Sequence, residues 1–314
     1  MNLEELIYER LAGDEELARK LAKYNGLPAI FSPEAPDDGQ DGWKDQMQYP
    51  QIVYNVDLQA DEERKSAGTL SVNLLYQNAA AVAPKQIEAQ IKECLRDVLL
   101  KPSDGALYAF AWARTDALSL PEGSGLILGS KIRFDILEYG SQETTDPDPV
   151  PAMNRYLKEM YPEAPVIGLD SFDSVTETLP GRPLFYCRSE TLELDRETNA
   201  VVWMACKLAI HLLCPDSVVR KKMVTAVANG LGISGEVTLM DGSPMFIKQL
   251  KVDHKADYLS AGQLYVTGHY GVLRYRAEPH RIAGVAVQAR EGAKTRKEEK
   301  GMVTAKKTAG ASYT

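Results

Sequence analysis

The sequence has little of the chemistry that builds metal and disulfide sites. Of its 314 residues, only four are cysteine and four are histidine. No two cysteines form a CxxC pair and no histidines stand at HExxH spacing, so a metal site is not expected. We interpret the cysteines as reduced core thiols rather than as disulfides. They are Cys94, Cys187, Cys206 and Cys214.

Long apolar runs are also missing. None approaches the roughly 18 residues that a membrane-spanning helix needs, so no membrane span is predicted. The first residues, MNLEELIYER, lack the basic start and apolar run of a signal peptide, and synthesis in the cytoplasm is expected. Apolar residues make up 44% and charged residues 25% of the chain, which indicates a folded globular protein and excludes a disordered or collagen-like one.

Acidic charge is concentrated in the first half of the chain. Residues 1–150 contain 26 acidic and 14 basic residues, a net charge of −12, whereas residues 151–289 are neutral. Because a broad basic field is missing, generic binding of nucleic acid is not expected. The last segment, 290–314, carries +4 and almost no large apolar side chains. It is predicted to be a basic, flexible tail.

A linker at residues 140–151 (GSQETTDPDPVP) divides the chain, because it is rich in Gly, Pro, Thr and Asp and has no apolar periodicity. Before the linker, the hydrophobic pattern predicts the element order α-β-β-α-β-β. The predicted elements are a helix over 3–11, strands over 51–57 and 69–76, a helix from Pro84 whose apolar stripe runs to Leu99, and strands over 106–114 and 131–139.

After the linker, the same order recurs at similar spacing. The predicted elements are a helix over 152–160, strands over 183–194 and 201–213, a helix from Pro215, a hairpin over 235–252 around Asp241-Gly242, and a strand over 263–275. We therefore predict an α+β fold of two tandem α-β-β-α-β-β domains, 1–139 and 152–289, with helices flanking mainly antiparallel sheets. Two unrelated α+β units in succession are the alternative.

No pattern in the sequence predicts catalysis or a bound cofactor. Gly230, Gly232 and Gly235 fit GxGxxG, but a predicted helix precedes them and a strand follows, the reverse of a dinucleotide-binding loop, so a helix stop is predicted. The paired carboxylates lie in polar loops, where both members stay ionised. His211 and Cys214 are interpreted as core residues. The chain is not expected to be an enzyme.

Three aromatic residues alternate with alanines in the strand 106–114. They are Tyr108, Phe110 and Trp112. A surface that stacks on bases usually carries interleaved Arg or Lys, which this strand lacks. The pattern predicts a strand covered on both faces, by the core or by a subunit interface.

Blocks of the first half resemble the tail terminator, or tail completion, proteins of long-tailed bacteriophages. Within residues 1–139 these blocks are LEELIYERLAGDEELARKL, YNGLPAIFSPEAPDDG, YPQIVYNVD, ERKSAGTLSVNLLY, IEAQIKECLRDVLL and AFAWARTDA. The second half resembles the family only through its element order, and the usual family member has a single domain.

The resemblance implies a non-enzymatic virion protein without a cofactor. The family forms a sixfold ring at the head-proximal end of the tail, where it ends growth of the tail tube and joins the tail to the neck. Implied partners are other copies of the chain, the tail tube protein and the neck or connector protein, with the sheath protein as a further candidate. DNA is expected to pass through the ring without specific binding.

The resemblance also implies assembly in the host cytoplasm. A tandem chain can build the ring as a hexamer or as a trimer with six domains, and six chains are favoured because the halves have diverged in charge. Two alternatives stay open: another structural component of the neck, such as a stopper or adaptor, and a nucleic-acid-binding adaptor.

Two sets of charged residues are the candidate functional sites. The first contains acidic loop residues that would line the ring lumen, where like charge prevents capture of DNA phosphates, or an interface. They are Asp37, Asp38, Asp61, Glu62 and Glu63. The second set is the basic tail, a candidate to bind an acidic partner surface or DNA. Its residues are Lys294, Arg296, Lys297, Lys300, Lys306 and Lys307.

Overall fold

The computed structural model describes most of the chain up to residue 274. The described residues are 1–37, 39–41, 43, 47–59, 66–77, 83–103, 105–122, 125–140, 147–179 and 181–274. The mixed α+β class is confirmed, because most elements are strands in mainly antiparallel sheets, with few helices. Met1–Val272 forms one compact unit and Leu273–Thr314 a second.

Capping residues set the starts of the first two helices. Helix α1 (Leu3–Ala12) opens with a capping box, in which the Asn2 side chain accepts a hydrogen bond from the Glu5 N–H at 2.8 Å and the Glu5 carboxylate accepts one from the Asn2 N–H at 3.0 Å. The Asp14 side chain caps helix α2 (Glu15–Lys20) by accepting from the Leu17 N–H. The predicted apolar stripe of α1 is buried; it consists of Leu3, Leu6, Ile7 and Leu11.

The other elements of the first half are β1 (Lys23–Tyr24), β2 (Leu27–Pro28), β3 (Ile30–Phe31), β4 (Gln51–Leu58), β5 (Gly68–Tyr76), α3 (Pro84–Leu95), β6 (Val98–Leu100), β7 (Leu107–Glu122) and β8 (Gly125–Tyr139). Strands β1 and β2 pair with each other as a separate two-stranded sheet, and the other strands belong to a seven-stranded sheet. The sheet order is β3-β4-β5-β8-β7-β6, followed by a short strand from the second half. Strands β4, β5, β8 and β7 pair antiparallel, and the inward residues of these strands form one hydrophobic core with α1, α2 and α3.

The second half builds a five-stranded sheet. Its elements are α4 (Pro149–Met160), β9 (Val175–Glu177), β10 (Leu184–Glu197), β11 (Val201–Leu213), α5 (Ser217–Ser234), β12 (Glu236–Thr238), β13 (Pro244–Val252) and β14 (Leu264–Leu273). The sheet order is β10-β11-β14-β13-β12. Helices α4 and α5 contribute to the core on one of its faces. Strand β9 instead leaves this sheet and pairs antiparallel with β6 of the first one.

The long strands follow the same order in the two sheets. Numbered along each half, the four strands lie in the order first, second, fourth, third, and a helix connects the second to the third. A short parallel contact also recurs beside the first strand. The Ile52 N–H donates to the Ala29 carbonyl at 2.9 Å in one half, and the Phe185 N–H donates to the Pro165 carbonyl at 2.9 Å in the other. The division into two domains nevertheless stays a prediction, because both halves lie in one compact unit.

Several local boundaries differ from the predictions. Helix α4 begins at Pro149, inside the predicted linker, because the Asp148 side chain caps it and proline suits the first helical turn. The predicted stripe from Pro84 to Leu99 is divided, because Asp97 has a left-handed φ of 52° and the chain then enters β6. The predicted helix stop at Gly235 is confirmed, with a φ of 69°.

A shared cluster of apolar side chains joins the two halves. It combines residues of β7 and β8 with residues of β10 and β11. Its buried members on these strands are Leu107, Ala109, Leu137, Tyr139, Leu184, Tyr186 and Leu213. The halves therefore pack as neighbours, which the sequence pattern did not predict.

Candidate assembly surfaces

The first candidate surface is the outer part of the hairpin β7–β8. The two strands pair from Leu107 opposite Tyr139 out to Glu122 opposite Gly125. The core covers Tyr108 and Phe110, whereas Trp112 is 55% exposed. Within the chain itself the predicted coverage of both faces does not extend to residues 112–114, which are exposed, and coverage by a subunit interface stays a prediction.

Polar groups hold Trp112 in place at this surface. The Lys92 ammonium lies 4.1 Å from the centre of the indole ring, a cation–π contact. The indole N–H donates to the Thr115 hydroxyl at 3.1 Å. A β-bulge between Trp112 and Arg114 shifts the register next to these contacts. The exposed indole is thus an ordered feature of the surface.

The second candidate surface is the outer part of the hairpin β10–β11. All residues from 190 to 200 are exposed. Two of them are large and apolar: Leu192 is 50% and Leu194 is 58% exposed. Leu192 lies opposite the buried Cys206 and Leu194 opposite Met204, so both leucines share the face that covers the second core. The apolar face of this sheet therefore continues beyond its own core, as surfaces used in assembly do.

A buried polar group lies at the junction of the two halves. His211 is 2% exposed, and its Nδ1 lies 3.2 Å from the Tyr258 carbonyl, which it contacts as a donor. The rings of Tyr139 and Tyr186 pack against it. Burial, with a smaller effect of the Arg188 charge, lowers the pKa of His211 to about 4. The side chain is therefore neutral at neutral pH, and the interpretation of His211 as a core residue is confirmed.

An acidic groove of about 730 Å³ runs beside α1. Four glutamates line it, and the aromatic side chains of Tyr8, Phe31 and Tyr54 contribute apolar surface. The Tyr54 hydroxyl donates to the Glu4 carbonyl at 2.8 Å, and burial raises the pKa of this phenol to about 12. The glutamates are Glu4, Glu5, Glu9 and Glu34. Some of the negative charge of the first half is thus collected on one surface.

Few of the predicted site residues can be placed. Asp37 is exposed in the loop after β3. Asp38, Asp61, Glu62 and Glu63 lie outside the described residues, as do all six basic residues of the tail, so both sets stay predictions. Sequence reasoning did not find the exposed Leu192 and Leu194, although their alternation with charged residues in TLELDRE was a usable signal.

The cysteines match their prediction. All four are free and buried. Burial raises the pKa of each thiol, for Cys206 to about 11 and for Cys94 to about 12. These thiols are core groups rather than nucleophiles.

The described residues contain neither a metal-binding cluster nor a membrane-spanning helix. Within them, no group of three or more His, Cys, Asp or Glu side chains is arranged to hold a metal ion. In that part of the chain, no helix is both long and apolar enough to cross a membrane. Comparison with known proteins finds no matching family model, no similar curated protein and no similar solved structure.

Proposed function

We propose that the chain is a structural virion protein that forms a closed ring at the head-proximal end of a bacteriophage tail. There it ends growth of the tail tube and joins the tail to the neck. The observation that carries the proposal is the exposure of large apolar side chains, Trp112, Leu192 and Leu194, on the outer parts of two long hairpins. In a closed ring, contacts between successive copies would cover such surfaces.

The proposed architecture is a tandem pair of tail-terminator-like domains, 1–139 and 152–289. The repeated strand order and the equivalent contacts at Ile52 and Phe185 support this duplication. The resemblance of the first half to tail terminators supports the assignment of the module. The ring contains six chains, with three as the alternative.

Native mass spectrometry and electron microscopy of the purified chain test the proposal. Six or three copies in short closed rings are expected. Long tubes would instead indicate a tube-type protein, and a chain that stays monomeric at micromolar concentration would contradict the proposal. A salt-dependent shift of DNA in a gel would favour the alternative of a nucleic-acid-binding adaptor.

The basic tail has its own test. Removal of residues 290–314 takes away seven basic and three acidic residues. If the tail binds a neighbouring surface in the neck, the truncated chain still forms rings but no longer joins the neck protein. Unchanged joining would exclude this role.

A further inference from the structure

Each edge of the five-stranded sheet has a stretch that pairs with no other strand among the described residues, and the two stretches differ in charge. Strand β10 forms one edge of the sheet, and Phe185 near its start makes a short parallel contact with the segment around Val166. At the other edge, the short β12 covers β13 only from Pro244 to Phe246, and the Gly235 carbonyl accepts from the Ile247 N–H. Past Ile247, no described residue pairs with the outer side of β13.

Opposite charges lie along these two edges. Residues 190–197 of β10 contain four acidic side chains and one arginine, and all eight residues are exposed. Arg188, just before them, lies 2.7 Å from the Glu190 carboxylate, so residues 188–197 together carry a net charge of −2 (four acidic and two basic residues). Residues 247–252 of β13 (IKQLKV) contain two lysines and no acidic residue, and Lys248 and Lys251 are exposed. An isolated edge lysine is commonly a device that prevents pairing with another chain. Here the basic edge is matched by an acidic edge on the same sheet.

The ladder of pairs shows that the two open stretches are at the same level of the sheet. At one end, Val252 pairs with Leu264, and the adjacent Gln263 N–H donates to the Ile210 carbonyl at 3.0 Å. Ile210 in turn pairs with Cys187. The Val252 end of the basic edge therefore lies level with the start of the open part of β10.

The other end matches as well. Ile247 pairs with Gly268, and a Cβ atom on Gly268 would lie 3.3 Å from the Cys206 sulfur, so Gly268 and Cys206 are neighbours. Cys206 pairs with Leu192. Lys248 and Lys251 thus lie at the level of residues 187–193, which include Glu190 and Glu193.

Strand directions also allow the two edges to meet. Strand β10 is antiparallel to β11, and β13 is antiparallel to β14. The two ladder contacts above show that β11 and β14 run in opposite directions. The four long strands therefore alternate in direction along the sheet. If a second copy is generated by rotation about an axis parallel to the strands, its β10 runs antiparallel to β13 of the first copy. Pairing of these two strands would continue the sheet from one copy to the next, and repeated rotation would close the copies into a ring.

We propose that the edge of β13 (247–252) in one copy pairs with the edge of β10 (187–193) in the next copy. Lys248 and Lys251 face Glu190 and Glu193 across this junction. Like charge disfavours β13 against β13 and β10 against β10, so the pairing is head-to-tail and not a twofold dimer. This inference rests on the proposed ring and names the surface that builds it.

Charge reversal at each edge tests the junction. The variant K248E/K251E carries two acidic edges, and E190K/E193K carries two basic edges. Each variant alone is expected to lose the ring in native mass spectrometry at a concentration where the unmodified chain forms it. The matched controls reverse the charge of two exposed residues away from both edges. They are K221E/K222E on α5 and E159K/E163K near the end of α4. Both controls are expected to keep the ring.

A mixture of the two edge variants gives the sharpest result. Equal amounts are expected to restore a ring in which the variants alternate, and this rescue also shows that both variants are folded. Alternation closes only with an even number of chains, so a six-chain ring is rescued and a three-chain ring is not. A chain that carries all four substitutions is expected to assemble by itself with either number.

The outcomes separate this inference from the proposed function. If the unmodified chain forms rings and both edge variants also do, the edge junction is wrong, the ring stands, and the open edges are left for another protein. If the variants lose the ring but the four-substitution chain does not regain it, charge pairing across the edges is overturned. If the unmodified chain never assembles, the proposed ring fails.

Discussion

Protonation of His211 is predicted to weaken the junction between the two halves of the chain. The unfolded chain takes up this proton near pH 6.5, whereas the folded chain does so only near a pKa of about 4. Between these values the unfolded state binds more protons, so stability falls as the pH falls. At about 1.4 kcal/mol per pH unit, the full loss is about 3 kcal/mol, of which about 2 kcal/mol is lost between about pH 7 and about pH 4.5.

The substitution His211→Asn isolates this contribution. Its side-chain amide can donate to the Tyr258 carbonyl, as the imidazole Nδ1 does, but it does not titrate. Urea unfolding of the unmodified chain and the variant at both pH values gives the four free energies that are needed. The variant is expected to lose about 2 kcal/mol less than the unmodified chain on acidification. His254→Asn, at an exposed position, is the control and is expected to keep the original pH dependence. Equal pH dependence in the His211 variant would refute the reasoning.

Three further predictions concern other parts of the fold. Gly68→Ala is expected to destabilise the chain by about 2 kcal/mol in urea unfolding, because the new Cβ would lie 2.1 Å from the Asp57 carbonyl oxygen and would separate β4 from β5. Leu192→Ser combined with Leu194→Ser is expected to change the unfolding free energy by less than about 1 kcal/mol, since both positions are exposed, but to weaken ring formation in native mass spectrometry. Thiol labelling of Cys187, followed by mass spectrometry, is expected to be about 100-fold or more slower in the folded chain than in urea, because burial raises the pKa of this thiol.

Each of these predictions has a clear contrary result. Gly181→Ala, where a Cβ meets nothing within 4 Å, is the control for Gly68, and equal stability of the two variants would show that the sheet tolerates the methyl group. A double serine variant that forms rings as well as the unmodified chain would remove the leucines from the interface. Rapid labelling of the folded chain would mean that Cys187 is reachable by solvent.

The sequence alone determined the class of fold and most of the elements. Period-two alternation in QIVYNVD and KIRFDILEY predicted strands β4 and β8, because one face of each strand must be buried. Short sequence signals also predicted a turn and a helix end. Asp241-Gly242 predicted the turn between β12 and β13, and Gly235 predicted the end of α5. These signals depend on neighbouring residues only, so no knowledge of the tertiary structure is needed to read them.

Only the tertiary structure decided how the halves meet and which strand edges stay open. Strand β9 follows α4 in the chain but joins the first sheet, and Tyr139 packs against Tyr186 from the second half. Sequence periodicity does not encode such contacts, since it shows that a face is buried but not which surface buries it. The open edges of β10 and β13 likewise follow from the order of strands in space, which is set by packing between residues distant in the chain.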